Sequence, residues 1–159
     1  MNFRIAVLAL LALVACSGMS ALTDMSLRDA EEKWVMSKIM SYRLVVEMEG
    51  DRVEREEFEV VVRDGAVASL KRNGQATTSA ASQDYSMNGL LKILHQEMGL
   101  AEKPSVLGAL AGYSAYLMAR FDETTGRLLR YRRTVGGASN TIDITVREFE
   151  LQPEGRPRP

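Results

Sequence analysis

Two sets of alternating polarity, each preceded by a stretch of helical period, limit what this chain can fold into more than any other feature. Tyr42, Leu44, Val46 and Met48 alternate with Arg43, Val45, Glu47 and Glu49, the period of two that a strand with one buried face requires. Gly50-Asp51 supplies a turn, and Phe58, Val60 and Val62 then resume the pattern against Glu57, Glu59 and Val61. Asp64-Gly65 follows, suited to a type I′ hairpin in which both central residues need positive φ. A third strand over about 66–71 ends at Asn73-Gly74, so the three are expected to form a meander. Before them, Leu27, Ala30, Trp34, Lys38 and Ile39 recur at helical spacing behind Ser26, a candidate N-cap with Asp29 three positions on. This spacing predicts a helix over about 27–40.

The second set repeats the order. Ser86 is placed to cap a helix whose Leu90, Leu91, Leu94 and Met98 share a face, with Gly99 as a left-handed stop. Residues 75–84 read as a loop, and 101–112 have no clear period beyond a short helical turn after Pro104. Strands over 116–122 and 127–135 flank Glu123-Thr124-Thr125-Gly126, and Gly136 to Asn140 turn into a last strand over 141–151. In that strand Ile142, Ile144 and Val146 keep one parity while Phe149 and Leu151 take the other, which predicts a bulge near Arg147. The expected class is α+β, two helices packed on one face of antiparallel sheet in the order α-β-β-β-α-β-β-β. The two sets share no convincing residue identity, so their likeness is read as one of architecture and not as proof of duplication.

Length and charge bound the rest. One domain over 26–151 is expected, with 152–159, rich in proline and arginine, as a disordered tail. Lysine plus arginine number 20 against 21 acidic residues. No large net field therefore recommends nucleic acid as a partner. Nine methionines suggest an adaptable core.

The first residues have a different logic. Ile5 to Ala15 contains no polar residue and follows Arg4, giving an export signal over 1–15 that is too short to span a bilayer core of roughly 30 Å. Leu13-Val14-Ala15-Cys16 resembles the bacterial lipobox. That resemblance implies cleavage before Cys16, diacylglycerol on its thiol and a further acyl chain such as palmitate on the new amino terminus. Cys16 is the only cysteine in the chain, so it has no disulfide partner within it. Ser17 stands where aspartate acts as an inner-membrane retention signal in enterobacteria. By the same resemblance the expected address is the periplasmic face of the outer membrane. Residues 16–25 read as a tether, whose nine residues after the cysteine would span roughly 15 to 18 Å if flexible.

Within the domain, Trp34 in an early helix, Ser41-Tyr42-Arg43 opening a strand, Val60 to Val67, the helix from Tyr85 to Met98, and Phe121-Asp122 with Gly126 in a hairpin resemble a family of bacterial secreted and lipoprotein domains. The resemblance spans about residues 27–150 and implies the fold. The family brings no established activity. Members often carry two cysteines shortly after the first strand; here Met48-Glu49-Gly50-Asp51 stands in that region, and no redox role carries over.

Few residues offer chemistry. His95 is the only histidine and, without cysteine ligands, makes no zinc site of the usual kind. No hydrolase or phosphate-loop motif occurs. Glu54, Glu56, Glu57 and Glu59 lie along a strand and its entry, where a solvated or cross-strand-paired face is expected. Gly108 to Gly112 has the small-xxx-small spacing of membrane helices, but Glu102, Lys103 and Arg120 bracket it too closely for a span. The most suggestive polar pair is Arg130 and Arg132. If Leu129, Tyr131 and Val135 face the core, these arginines share the outer face with Glu47, Glu57 and Glu59, as an ion-pair ladder or as a basic patch for an anionic partner.

From the sequence, the chain is expected to be no enzyme, to need no cofactor or metal, and to bind or scaffold another envelope component, an envelope protein or an anionic one, while anchored to the membrane through Cys16. The alternative is a carrier of a small apolar ligand in a pocket between helix and sheet, lined by Met36, Met40, Met87, Met98 and Met118.

Overall fold

The computed structural model describes residues 18–77 and 84–153. The expected export signal, Cys16 and the part of the expected tail from 154 onward lie outside the described residues. The elements are β1 (Ser20–Ala21), α1 (Asp24–Met36), β2 (Tyr42–Gly50), β3 (Val53–Arg63), β4 (Ala66–Arg72) and β5 (Gln75–Thr77). There follow α2 (Met87–Ala101), a 3-10 turn (Pro104–Leu107), β6 (Ala115–Phe121), β7 (Leu128–Val135) and β8 (Ile142–Leu151). All eight strands join one antiparallel sheet in the order β1-β6-β7-β8-β2-β3-β4-β5. The α+β class stands. The element order differs from expectation by a short strand at each edge, and the pairing of β8 with β2 joins the two meanders.

Turn chemistry explains the hairpins. Asp64 and Gly65 have φ of 50° and 79°, and Asn73 and Gly74 of 50° and 78°, the positive pair that a type I′ turn demands. The bulge expected near Arg147 is present: Val45 pairs with Glu148 and Val46 with Val146, leaving Arg147 as the extra residue. A second irregularity, between Arg120 and Phe121, brings Leu128 opposite Phe121. Leu128 is consequently buried, and Leu129, expected in the core, is only half-buried.

Both helix ends differ from the sequence reading. Thr23, not Ser26, caps α1: the Ser26 N–H donates to Thr23 Oγ1 at 3.1 Å and the Thr23 N–H donates to Ser26 Oγ at 2.9 Å. That reciprocal box starts the helix three residues early, and Asp29 instead pairs with Lys33 one turn on, at 2.8 Å. The helix stops at Met36 because Lys38 turns left-handed at φ 53°. In α2, Ser86 caps as expected through the Gly89 N–H at 3.1 Å, yet Gly99 stays helical and the helix runs on to Ala101.

The tether is shorter than expected. Ser20 and Ala21 pair with Ala119 and Met118, and the Leu22 N–H donates to Leu117 O at 2.9 Å. Residues 20–25 therefore belong to the fold, with Leu22 in the core.

The buried faces of both helices meet one face of the sheet in a single core containing Leu27, Leu44, Val46, Val60, Met87 and Leu94. Trp34 anchors α1 there, its ring edge-on to Tyr42 and Phe149 and its Nε1–H donating to Asn88 Oδ1 of α2 at 2.8 Å. Tyr42 Oη accepts the Met87 N–H at 3.0 Å, fixing α2 on the same strand. Gly126, at φ 71°, presses its hairpin on α1 so closely that a Cβ would lie 2.0 Å from Ala30 O.

Candidate functional site

The face of the sheet opposite the helices carries the charged strand residues singled out from sequence, and alternation puts them there. On β2, Arg43 Nη2 lies 2.7 Å from Glu59 of β3 and its Nη1 2.7 Å from Glu148 of β8. Glu59 also takes Lys71 of β4 at 2.7 Å. Hydrogen bonds from Lys71 first, then Arg43, hold the Glu59 carboxyl below its ordinary value, while those same acids raise the Arg43 guanidinium above its own. A second knot centres on Glu47, whose side chain is only 7 % exposed between Arg147 at 2.8 Å and Arg55. Its carboxyl is also lowered, chiefly by Arg147.

Arg130 and Arg132 reach a different acid from those expected. Because β8 lies between β7 and β2, Arg132 is in register with Asp143 and Arg130 with Thr145. Arg130 grips Asp143 with two hydrogen bonds, of 3.0 and 2.6 Å, the bidentate geometry that favours arginine. Arg132 approaches the same carboxylate only to 4.0 Å and keeps a half-exposed side chain. The ladder therefore exists, with Asp143 as the partner of these arginines in place of Glu47, Glu57 and Glu59. Glu57 faces Glu47 across the strands and stays exposed. Asp143 had the signal of its parity, since it alternates with Ile142 and Ile144.

A buried network escaped the sequence reading. Arg133, on the core parity of β7, places Nη1 2.6 Å from Glu97 Oε2 of α2, and Tyr131 Oη donates to the same oxygen at 2.8 Å. Arg133 Nη2 donates to Asn140 Oδ1 at 2.8 Å, and Asn140 Nδ2 in turn donates to Leu107 O at 2.8 Å. Burial first, and then the adjoining Glu97 carboxylate, push the Tyr131 phenol well above its ordinary value, so it remains a donor. Among the described residues no buried side-chain nitrogen or oxygen lacks a hydrogen-bond partner, and a network so satisfied suits a structural clamp on α2, β7 and the 3-10 turn.

The remaining candidates are dispersed. His95 Nε2 lies 2.7 Å from Glu31 Oε1, tying the helices together at the surface. Of the five methionines considered as a lining, Met36 and Met40 are exposed and Met87 is fully buried with its sulfur 3.1 Å from the Leu128 nitrogen. Only Met98 and Met118 meet, with Leu22, Tyr116 and Leu117, in an open cleft of about 590 Å³ beside α2. Among the described residues, no three histidine, cysteine or acidic side chains are grouped to hold a metal ion, and no helix is long and apolar enough to cross a membrane. Compared with protein-family models and with curated proteins, the chain matches none.

Proposed function

We propose that this chain is a lipid-anchored protein of the bacterial cell envelope, held through Cys16 at the periplasmic face of the outer membrane, whose α+β domain binds or scaffolds another envelope component. It acts without catalysis of its own. The observation that carries the reading is the outer sheet face, a broad ordered surface on which Arg43, Glu47, Glu59 and Asp143 are held by neighbours while Arg132 stays half exposed and loosely held. Such a face is stiff, and a partner bearing an acidic group meets Arg132 with little reorganisation.

A carrier of small apolar ligands is the second reading, supported by the cleft at Met98 and Met118. Its site is the rim of α2 and β6, since the space between helices and sheet is filled by Leu27, Leu90 and Leu94 without exposure.

A photo-crosslinking residue at Thr134, exposed beside Arg132 on the same face of β7, should capture a discrete envelope component in intact cells, whereas one at Arg28, on the solvent side of α1, should not. Arg132→Gln, which sets no new acid opposite Asp143, should strongly weaken a salt-sensitive association while the unfolding midpoint barely moves, because Arg130 still holds that carboxylate. Absence of an adduct at 134 contradicts the reading, and an apolar small molecule found by native mass spectrometry favours the carrier.

A further inference from the structure

From the position at which the chain enters the fold, we infer that one end of the domain rests on the lipid surface, through Val35, Met36, Met40 and Leu151. The inference depends on acylation of Cys16 and adds to that reading the face turned to the bilayer. β1 runs antiparallel to β6, with Ser20 opposite Ala119, and Gly18 lines one cleft with Phe121 and Asp122 at the start of the β6–β7 hairpin. Cys16 is two residues before Gly18, so their Cα atoms are at most about 7 Å apart. An anchor that short brings the hairpin end of the sheet to the membrane.

The same end gathers exposed apolar side chains. The β6–β7 hairpin packs on α1 through Gly126 against Ala30 and Lys33, and α1 then ends in Val35 and Met36, 73 % and 78 % exposed. Met40, 49 % exposed, shares a small cleft with Val35, and its carbonyl accepts the Gly65 N–H at 2.8 Å. Leu151, 65 % exposed, pairs with Tyr42 where β8 finishes. A patch of exposed apolar groups marks a contact surface, and of the two apolar ends this is the one that the short link from Gly18 to Cys16 brings to lipid. Lys38 and Arg63 are accompanied there by Asp64, Glu123 and Glu150, all exposed. Mixed charge makes the contact one of apolar burial, independent of anionic lipid.

The opposite end provides the control, because it too is apolar. Leu110 and Tyr113 are exposed beside the Gly136-Gly137 turn, Val106 is exposed on the 3-10 turn tied to Asn140, and β6 separates this end from the hairpin by about 20 Å. Single cysteines at Met36, Met40, Val106 and Leu110, each carrying a fluorophore, are introduced into the full chain, whose Cys16 thiol is blocked once acylated. The purified acylated protein is reconstituted in phosphatidylethanolamine vesicles containing brominated phospholipid. Quenching at 36 and 40 should exceed that at 106 and 110 by at least about twofold, with no change in high salt. Equal quenching, or the reverse order, in a sample whose intact mass shows the acyl chains overturns the orientation and leaves the anchor standing. A mass without acyl chains removes both.

Discussion

Glu47 shows what a single position in a sheet can conceal. Alternation assigns it to a solvent face, yet Arg55 and Arg147 close over it until its side chain is 7 % exposed. Its carboxyl titrates below the ordinary 4.5, and Glu59 does likewise. As pH falls, the unfolded chain takes up these protons first. The stabilisation is therefore complete above about pH 4.5 and is lost as pH drops through the lowered folded values. Glu47→Gln should cost about 1.5 kcal/mol at neutral pH, the low end for a hydrogen bond to a charged group because Arg55 and Arg147 are themselves exposed, and should flatten the acid limb of stability against pH. Urea unfolding between pH 3 and 7 checks this; an acid limb identical to that of the unaltered protein contradicts it.

Elements are joined by Arg133 and Glu97. Removing one charge of a buried pair leaves the other without a countercharge, here with only the Tyr131 hydroxyl on Glu97, so Arg133→Leu should cost about 3 kcal/mol or more. Adding Glu97→Leu should recover much of that loss, because the orphaned carboxylate disappears. Denaturant unfolding of the two single variants and the double closes the cycle, and strictly additive losses would show that the two side chains act independently. The parity that puts Tyr131 and Val135 in the core also puts Arg133 there, so its burial was legible. Its partner was not, since Glu97 lies on another element 36 positions away. Local patterns served best where the chemistry is local: the Asp64-Gly65 and Asn73-Gly74 turns and the Arg147 bulge were all readable from neighbouring residues. The cap at Thr23 was missed because Ser26 looks like a cap, whereas here its hydroxyl completes the box begun by Thr23.

At the scale of the whole molecule, the two meanders were legible from alternation, but their junction was not. Pairing β8 with β2 is a long-range choice, and it decides which acids Arg130 and Arg132 can reach. The edge strand β1 was equally hidden, since two residues show no period, and its presence changes a loose tether into a short one. What the outer face and the apolar end can do depends on where the domain is held, and the proposal is that lipid on Cys16 holds it. Intact mass of the mature protein from envelope membranes, with detergent-phase partitioning, tests that most directly. The expected result is a chain beginning at Cys16 that carries diacylglycerol on the thiol and an acyl group on the amino terminus, and a Cys16→Ser variant that loses both and leaves the detergent phase; a mature protein beginning elsewhere, or a Cys16 with a free thiol, would contradict it.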